Sequence, residues 1–415
     1  MNSIKLSICI PTYNRAESLR DCLDRCVREL DFGFPFEIVI SDNASTDHTT
    51  SVVQEFIERG APIRYHKGDE NVGMIPNVNS AFRLGRGEYL LYLADDDRLI
   101  GEEIAEIVAY LDQNPNTTVC HAPWFITDGV TNTDGRPFYH LAEDVVFPRR
   151  SYAEVFNFLF RGHVFPEIAV YRRSAIRSAW APRSICFFAF PLLAHLLDQG
   201  DVAFRKKPFY RQVIRSAINR DRQQGGHDIA MTGWDQYRGG LEYFLYFGIK
   251  RGRIGTSLDD RTTQEHLCKV FTMERMAVAI RLLIQRGEYL KSYELLTRME
   301  FSGHGEHQQL KEIRNGLPLA AALETLAWQI KSTAGIRSLI ISGFLDTSIL
   351  KERLMKVGFP EKIEIVGEPA EHTKEFMESA AVLVSAQEQR DHFLELGYLP
   401  NMVFSQEDLV QTILV

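Results

Sequence analysis

The stretch Tyr89-Leu90-Leu91-Tyr92-Leu93-Ala94-Asp95-Asp96-Asp97 is an apolar run of strand length that stops at three consecutive carboxylates. Three adjacent Asp side chains repel one another, so a strand that delivers them together at its carboxyl end calls for a cation. Their hard oxygens suit Mg2+ or Mn2+. Such ions usually bridge one or two carboxylates to the phosphates of a substrate, which points to a nucleoside diphosphate ligand. The competing reading is a solvated acidic turn that caps a helix beginning near Glu102.

Outward from this run, the first 125 residues alternate β-rich segments with helical periodicity, the pattern of βαβ units and a mainly parallel sheet. Strands are expected at about 5–10, 36–41, 63–66, 89–94 and 118–122, and helices at about 16–30, 47–59, 75–84 and after the Asp triplet. In the first helix Leu19, Leu23, Cys26, Val27 and Leu30 form a stripe, and Asn14 with Glu17 imitates a capping box. The ligand crevice of such a sheet lies outside the carboxyl ends of its strands. A polar cluster follows each of the first four: Pro11 to Arg15, Asp42 to Asp47, Lys67 to Asn71, and Asp95 to Asp97. One such cluster is ordinary turn chemistry; four on one edge make a site.

Residues 136–222 are richer in aromatics and read as a wall that closes the crevice. After the break Gln223-Gln224-Gly225-Gly226-His227 the chain is helical to about Ser332, with 277–285 and 290–299 paired like a helical hairpin. From Ile336 short strands return at about 338–342, 363–366, 381–384 and 402–404. That segment has no Gly-x-Gly-x-x-Gly, so no dinucleotide is assigned to it.

A net charge of -8 and a pI near 5.9 argue against nucleic acid as a partner. A local basic stretch from Arg205 to Arg222 reads either as a solvated face or as a seat for an anion. Six scattered cysteines, Cys9, Cys22, Cys26, Cys120, Cys186 and Cys268, form no Cys-x-x-Cys pair and are expected to be reduced and packed. The N-terminal residues enter a strand directly, with no signal-like core, so a cytoplasmic location is expected. The most apolar stretch, Cys186 to Leu197, is shorter than a membrane span and is expected to pack in the core. Peripheral attachment to the inner face of a membrane and homo-oligomer formation are both compatible with this composition.

Ile8 to Arg15, Ile38 to Asp47, Asn71-Val72-Gly73 with Asn77 and Ala81, and Gly87 to Asp97 together resemble the GT-A domain of family 2 glycosyltransferases of the bacterial glycan-synthesis type. The likeness is close over 4–125 and loose over 126–222. It implies an α/β, Rossmann-like GT-A catalytic domain at 1–225 and does not extend to the rest of the chain, where the pattern itself gives a helical region at 226–332 and a small Rossmann-like α/β domain at 333–415. It also implies an inverting transferase that uses Mn2+ or Mg2+ and moves a sugar from a UDP-sugar to a glycan, lipid-linked or protein acceptor.

Carried over residue by residue, the resemblance gives Pro11, Tyr13 and Arg15 to the nucleotide, with Tyr13 near the base and Arg15 on a phosphate. Asp42 would take the base imide, and Asn71, Gly73 and Asn77 would line the ribose and sugar. The family's acidic motif is usually Asp-x-Asp-Asp, and Ala94 stands where its first Asp is expected. Asp95 then falls on the variable position, Asp96 touches ribose or sugar, and Asp97 ligates the metal. The usual Glu-Asp pair that supplies the general base falls on Phe188 and Ala189, which cannot accept a proton. Glu167 is the leading replacement, followed by Asp198 and Asp201. His195 reads as a core histidine, and His227 as a residue that reaches the metal or phosphate from a loop. Two other classes compete: a nucleotide-sugar-binding scaffold that has lost its base, and a nucleotidyltransferase. The second is disfavoured because no Gly-rich, Lys-bearing phosphate loop follows the first strand.

Overall fold

A computed structural model of the 415-residue chain describes residues 3–179, 187–218 and 233–409. Two compact units appear, 1–272 and 273–415, where three segments were expected. The boundary falls inside one long helix, Leu258–Gln285.

Unit 1 begins with β1 (Leu6–Thr12), α1 (Ala16–Glu29), β2 (Phe36–Asp42), α2 (Thr49–Glu58), β3 (Ile63–Lys67), α3 (Met74–Leu84) and β4 (Tyr89–Tyr92). β1 is buried almost throughout, because helices cover both faces of a parallel sheet, and so it reads as a continuous apolar run. β1 pairs in parallel with β2, Thr12 opposite Asp42, and with β4, Cys9 opposite Tyr92.

A 14-residue helix is marginal alone, so α1 depends on its buried face. Leu19, Cys22, Leu23 and Cys26 face the core, and each fully buried Leu contributes about 1.5–3 kcal/mol. Val27, expected in that stripe, is 42% exposed. The expected capping box is also absent: Arg15 is the N-cap, and the Asn14 side chain turns to a different loop.

After the acidic triplet come β5 (Arg98–Leu99), α4 (Gly101–Gln113), β6 (Thr117–His121), β7 (Trp124–Asp128), β8 (Thr133–Pro137), β9 (Val145–Phe147), α5 (Tyr152–Gly162), β10 (Ala169–Arg172), α6 (Arg173–Ser178), α7 (Ala189–Gln199), β11 (Asp201–Phe204), β12 (Tyr210–Arg215) and α8 (Trp234–Lys250). The main sheet has the order β3-β2-β1-β4-β10-β6-β11-β9. β10 runs antiparallel between β4 and β6, with Val170 opposite both Leu91 and Cys120. Its amino-terminal end therefore lies at the carboxyl edge of β4 and β6.

A second sheet, β5-β12-β7-β8, starts immediately after the triplet. The apolar stretch around α7 is core, as expected, with Leu193, Ala194, Leu196 and Leu197 fully buried; Cys186 lies outside the described residues. The other five cysteines are free and buried.

Unit 2 contains α9 (Tyr289–Phe301) and α10 (Leu317–Ser332), then a four-stranded parallel sheet. The sheet order is β14 (Glu364–Val366), β13 (Ser338–Ser342), β15 (Ala380–Val384), β16 (Val403–Ser405). No helix among the described residues is long and apolar enough to cross a membrane.

Candidate active site

Strand connections leave β1 in opposite directions toward β2 and β4, and the crevice at such a switch point opens at the carboxyl ends of the strands. Thr12 ends β1 and Asp95 follows β4. Thr12 Oγ1 donates to Asp95 Oδ2 at 2.7 Å and closes the floor. A cavity of about 660 Å³ sits above it, within the range of small-molecule sites. Pro11, Tyr13, Arg15, Asn71, Gly73, Asn77 and all three Asp of the triplet line it, as do Trp124, Glu167 and Phe188.

The first two polar clusters are knitted into one unit. Asn14 adopts a φ of 51°, a left-handed conformation that Asn tolerates better than most residues. Its Oδ1 accepts the Thr46 N–H at 2.7 Å, and its own N–H donates to Ser45 Oγ at 2.8 Å. Asp47 Oδ2 accepts the Ala16 N–H at 3.1 Å at the start of α1. Burial works against the Asp47 charge, yet the Thr49 hydroxyl and the Ala16 and Thr49 amides hold its pKa below the usual carboxylate range.

Asp42 sits beneath the wall, 1% exposed, and is not among the residues lining the cavity. Its Oδ1 accepts the Ser45 N–H at 2.8 Å and its Oδ2 the Tyr65 hydroxyl at 2.7 Å. Burial first, then Asp42, pushes the Tyr65 pKa up to about 12 and keeps it a donor. Asn77 is similarly engaged: Oδ1 accepts from Ser41 Oγ at 2.7 Å and Nδ2 donates to the Ser41 carbonyl at 3.0 Å.

On the neighbouring loop, Asn43 Nδ2 donates to Asn71 Oδ1 at 2.7 Å, and Asn43 Oδ1 accepts the Val72 N–H at 2.9 Å. Gly73 opens α3 at φ 90°, ψ 169°, a conformation nearly closed to residues with a Cβ.

Two carboxylates of the triplet share Arg15, and the third has other partners. Asp95 Oδ1 takes Arg15 Nη1 at 2.9 Å, and Asp96 Oδ2 takes Arg15 Nη2 in a short ion pair. Asp97 is 6% exposed; its Oδ2 accepts the Tyr210 hydroxyl at 2.7 Å and its Oδ1 the Val213 N–H at 2.9 Å. Tyr210 Oη in turn accepts the Ala94 N–H at 3.1 Å. Burial, and after it the charge of Asp97, raises the Tyr210 pKa well above its ordinary value, so the phenol remains a donor. Asp97 thereby fastens the second sheet to the end of β4.

Hard carboxylate oxygens of the triplet suit Mg2+ or Mn2+. Among the described residues no group of three or more His, Cys, Asp or Glu side chains is arranged to hold an ion. The chemistry of the donor set, carboxylates lining the cavity, is of the kind such an ion takes.

Glu167 reaches the cavity because β10 is antiparallel to β4: the residue lies just ahead of Ala169, at the end of β10 that sits at the carboxyl edge of β4. The Tyr92 phenol registers the company. Its pKa is pushed far up by burial, then by Asp97, Asp95, Asp96 and Glu167.

Other candidates lie elsewhere. The Asp198 carboxylate pairs with Arg150 at 2.7 Å and Arg251 at 2.7 Å and does not line the cavity. Asp201 accepts the Arg149 N–H at 2.8 Å. His195 Nε2 meets Tyr243 Oη at 2.9 Å, and burial lowers its pKa. In the basic stretch Arg205 pairs with Asp144 at 3.0 Å, Lys207 with Glu103 at 3.3 Å, Arg211 with Asp134 at 2.9 Å, and Arg215 with Asp128. Arg220, Arg222 and His227 lie outside the described residues.

Thr12 and Asn43 belong to the polar clusters, but their roles as floor and loop clamp do not show in residue type. Trp124 and Tyr210 reach the cavity from distant strands, with no local signal.

The Glycosyl transferase family 2 model matches residues 7–180. The chain is 34% identical over 116 residues to abequosyltransferase RfbV of Salmonella typhimurium, covering 28% of this chain and 35% of that protein. It is 32% identical over 173 residues to an uncharacterised Mycobacterium tuberculosis protein, covering 40% of this chain and 47% of that one. The chain thus spans between a third and a half of the length of these relatives. The solved structure of S. aureus TarS 1–349 in complex with UDP-GlcNAc aligns at 16% identity and a TM-score of 0.45, over 77% of this chain and 86% of that one. The match takes in the α/β region whose first four strands build this cavity, and over that region the chain is similar to glycosyl transferase family 2.

Proposed function

We propose that the cavity binds a nucleoside diphosphate sugar and that the protein transfers the sugar, with inversion, to a hydroxyl of a glycan, lipid-linked or protein acceptor. The observation that carries this reading is the shared cavity: the strand-end residues of a family 2 domain and a carboxylate from outside those loops, Glu167, line the same space. Tyr13, 42% exposed at the rim, offers an aromatic face to the base. The diphosphate sits toward Arg15 and the triplet.

In a single displacement Glu167 takes the proton of the acceptor hydroxyl, whose oxygen bonds to the anomeric carbon as the bond to the diphosphate breaks. Asp96 and Asp97 are the residues that would hold a divalent ion, which would supply charge neutralisation of the leaving diphosphate. A UDP-sugar is the first donor to test, and Asp42, held by Ser45 and Tyr65, borders the base pocket from beneath.

The test is a panel of UDP-, GDP- and dTDP-sugars with Mn2+ or Mg2+, following hydrolysis and transfer, with Glu167→Gln as control. Loss of a general base lowers the rate by about 10²–10⁴-fold, while nucleotide affinity measured by calorimetry stays within about twofold of wild type. Full activity in Glu167→Gln would remove Glu167 as the base. Nucleotide binding by the wild-type protein with no turnover of any donor would favour the scaffold reading.

A further inference from the structure

The acidic triplet already holds a cation, and it belongs to the chain. Among the described residues that line the cavity, Arg15 is the one cationic side chain, while Asp95, Asp96, Asp97 and Glu167 line the same space. The guanidinium forks across two carboxylates, Nη1 to Asp95 and Nη2 to Asp96, the planar geometry for which Arg is suited and Lys is not.

The partners differ in how they are fixed. Asp95 and Asp96 are 3% and 9% exposed at their side chains, and Asp95 is further pinned by Thr12. The Arg15 side chain is 35% exposed. Its backbone is anchored as the N-cap of α1, next to the Asn14 network. The carboxylates are buried, and the guanidinium reaches them from a partly exposed side chain on an anchored backbone.

We propose that Arg15 is a built-in counter-ion: a divalent cation binds the carboxylates only by displacing it, and the freed guanidinium turns to the diphosphate. The second step rests on the reading of this cavity as a nucleotide-sugar site. An ion arriving alone at Asp96 and Asp97 breaks the charge-assisted contact between Arg15 and Asp96 and gains few ligands. An ion arriving with a diphosphate gains phosphate oxygens, and Arg15 exchanges one anion for another. Metal and nucleotide affinities are then coupled, and by linkage the coupling is reciprocal. Arg15 in this role is a positioning residue that prevents the triplet from holding metal in the absence of donor.

The experiment is Mn2+ binding to the full chain, measured from the electron paramagnetic resonance signal of free Mn2+, with and without UDP. Wild type, Arg15→Gln and Arg15→Lys are compared, with circular dichroism to confirm folding. Wild type is expected to bind Mn2+ weakly alone and more tightly with UDP. Arg15→Gln is expected to bind Mn2+ alone about tenfold more tightly, because a partly buried competing charge is gone, and to show a smaller gain with UDP. Arg15→Lys, with a point charge that cannot fork, falls between. Equal Mn2+ affinity of Arg15→Gln and wild type without UDP overturns the counter-ion role, even if UDP binds. If Arg15→Gln gains affinity but UDP neither binds nor changes it, the counter-ion role stands and the donor reading fails, taking the transfer of Arg15 to the diphosphate with it.

Discussion

Replacing Asp97 by Ala separates a structural carboxylate from a metal ligand. Its two oxygens are the acceptors for the Tyr210 hydroxyl and the Val213 amide, and all three groups are buried. Alanine removes both acceptors at once. A buried donor that loses its partner costs about 1–3 kcal/mol, so two cost about 2–6 kcal/mol. In a domain of this size each kcal/mol moves Tm by about 2–4 °C, which puts the expected fall at roughly 4–24 °C.

The measurement is thermal unfolding followed by circular dichroism in EDTA without nucleotide, so that no bound ligand contributes to the difference. Asp97→Asn, which retains one acceptor oxygen, should fall between wild type and Asp97→Ala. If Asp97→Ala melts within about 1 °C of wild type under these conditions, the clamp between β4 and β12 carries no weight and the reasoning fails.

Two further substitutions probe the frame. Burial opposes the Asp198 charge, but Arg251 and Arg150 outweigh it and hold the pKa below the usual value. The resulting stability is present above the unfolded pKa of about 3.9 and is lost as pH falls through the lower folded value. Asp198→Asn should therefore cost about 1 kcal/mol at neutral pH, given the half-exposed arginines, and progressively less in denaturation curves below about pH 4; a penalty that does not shrink in acid would exclude the ion pairs as its source. At Gly87 an added Cβ would meet Ser7 N at 2.6 Å, the Leu6 carbonyl carbon at 2.7 Å and Tyr89 O at 2.8 Å. All three are backbone atoms of β1 and β4 or their approach, so Gly87→Ala should cost about 1–3 kcal/mol and show up as a loss of soluble yield and Tm; a wild-type melting curve would contradict the packing.

The parts of the fold written in local periodicity were legible. Buried parallel strands appear as continuous apolar runs, and the turn residues after them locate the carboxyl edge, so β1 to β4 and the cavity loops were readable within two residues. Partnerships were not legible. Asp97 is tied to residues 113 and 116 positions away, and nothing in Asp-Asp-Asp distinguishes the Asp that fastens a sheet from the two that hold Arg15. Asn14 looked like half of a capping box because the spacing to Glu17 is right; its side chain instead binds the next strand's loop, a choice made by tertiary contact. Asp198, a secondary candidate for the base, faces Arg150 and Arg251 and not the cavity, a partnership that nothing in the local sequence reveals.

The antiparallel insertion of β10 has a consequence for how specificity can change. On the proposed reading, the loops facing the donor belong to strands running one way, and Glu167, the carboxylate facing the acceptor, precedes a strand running the other way. A short exchange around His163-Val164-Phe165-Pro166-Glu167 would alter which hydroxyl is activated while leaving the Pro11, Asn71 and Asp95 loops intact. If the cavity acts as proposed, donor choice and acceptor choice lie on separately editable segments, and acceptors could diversify without rebuilding the nucleotide pocket.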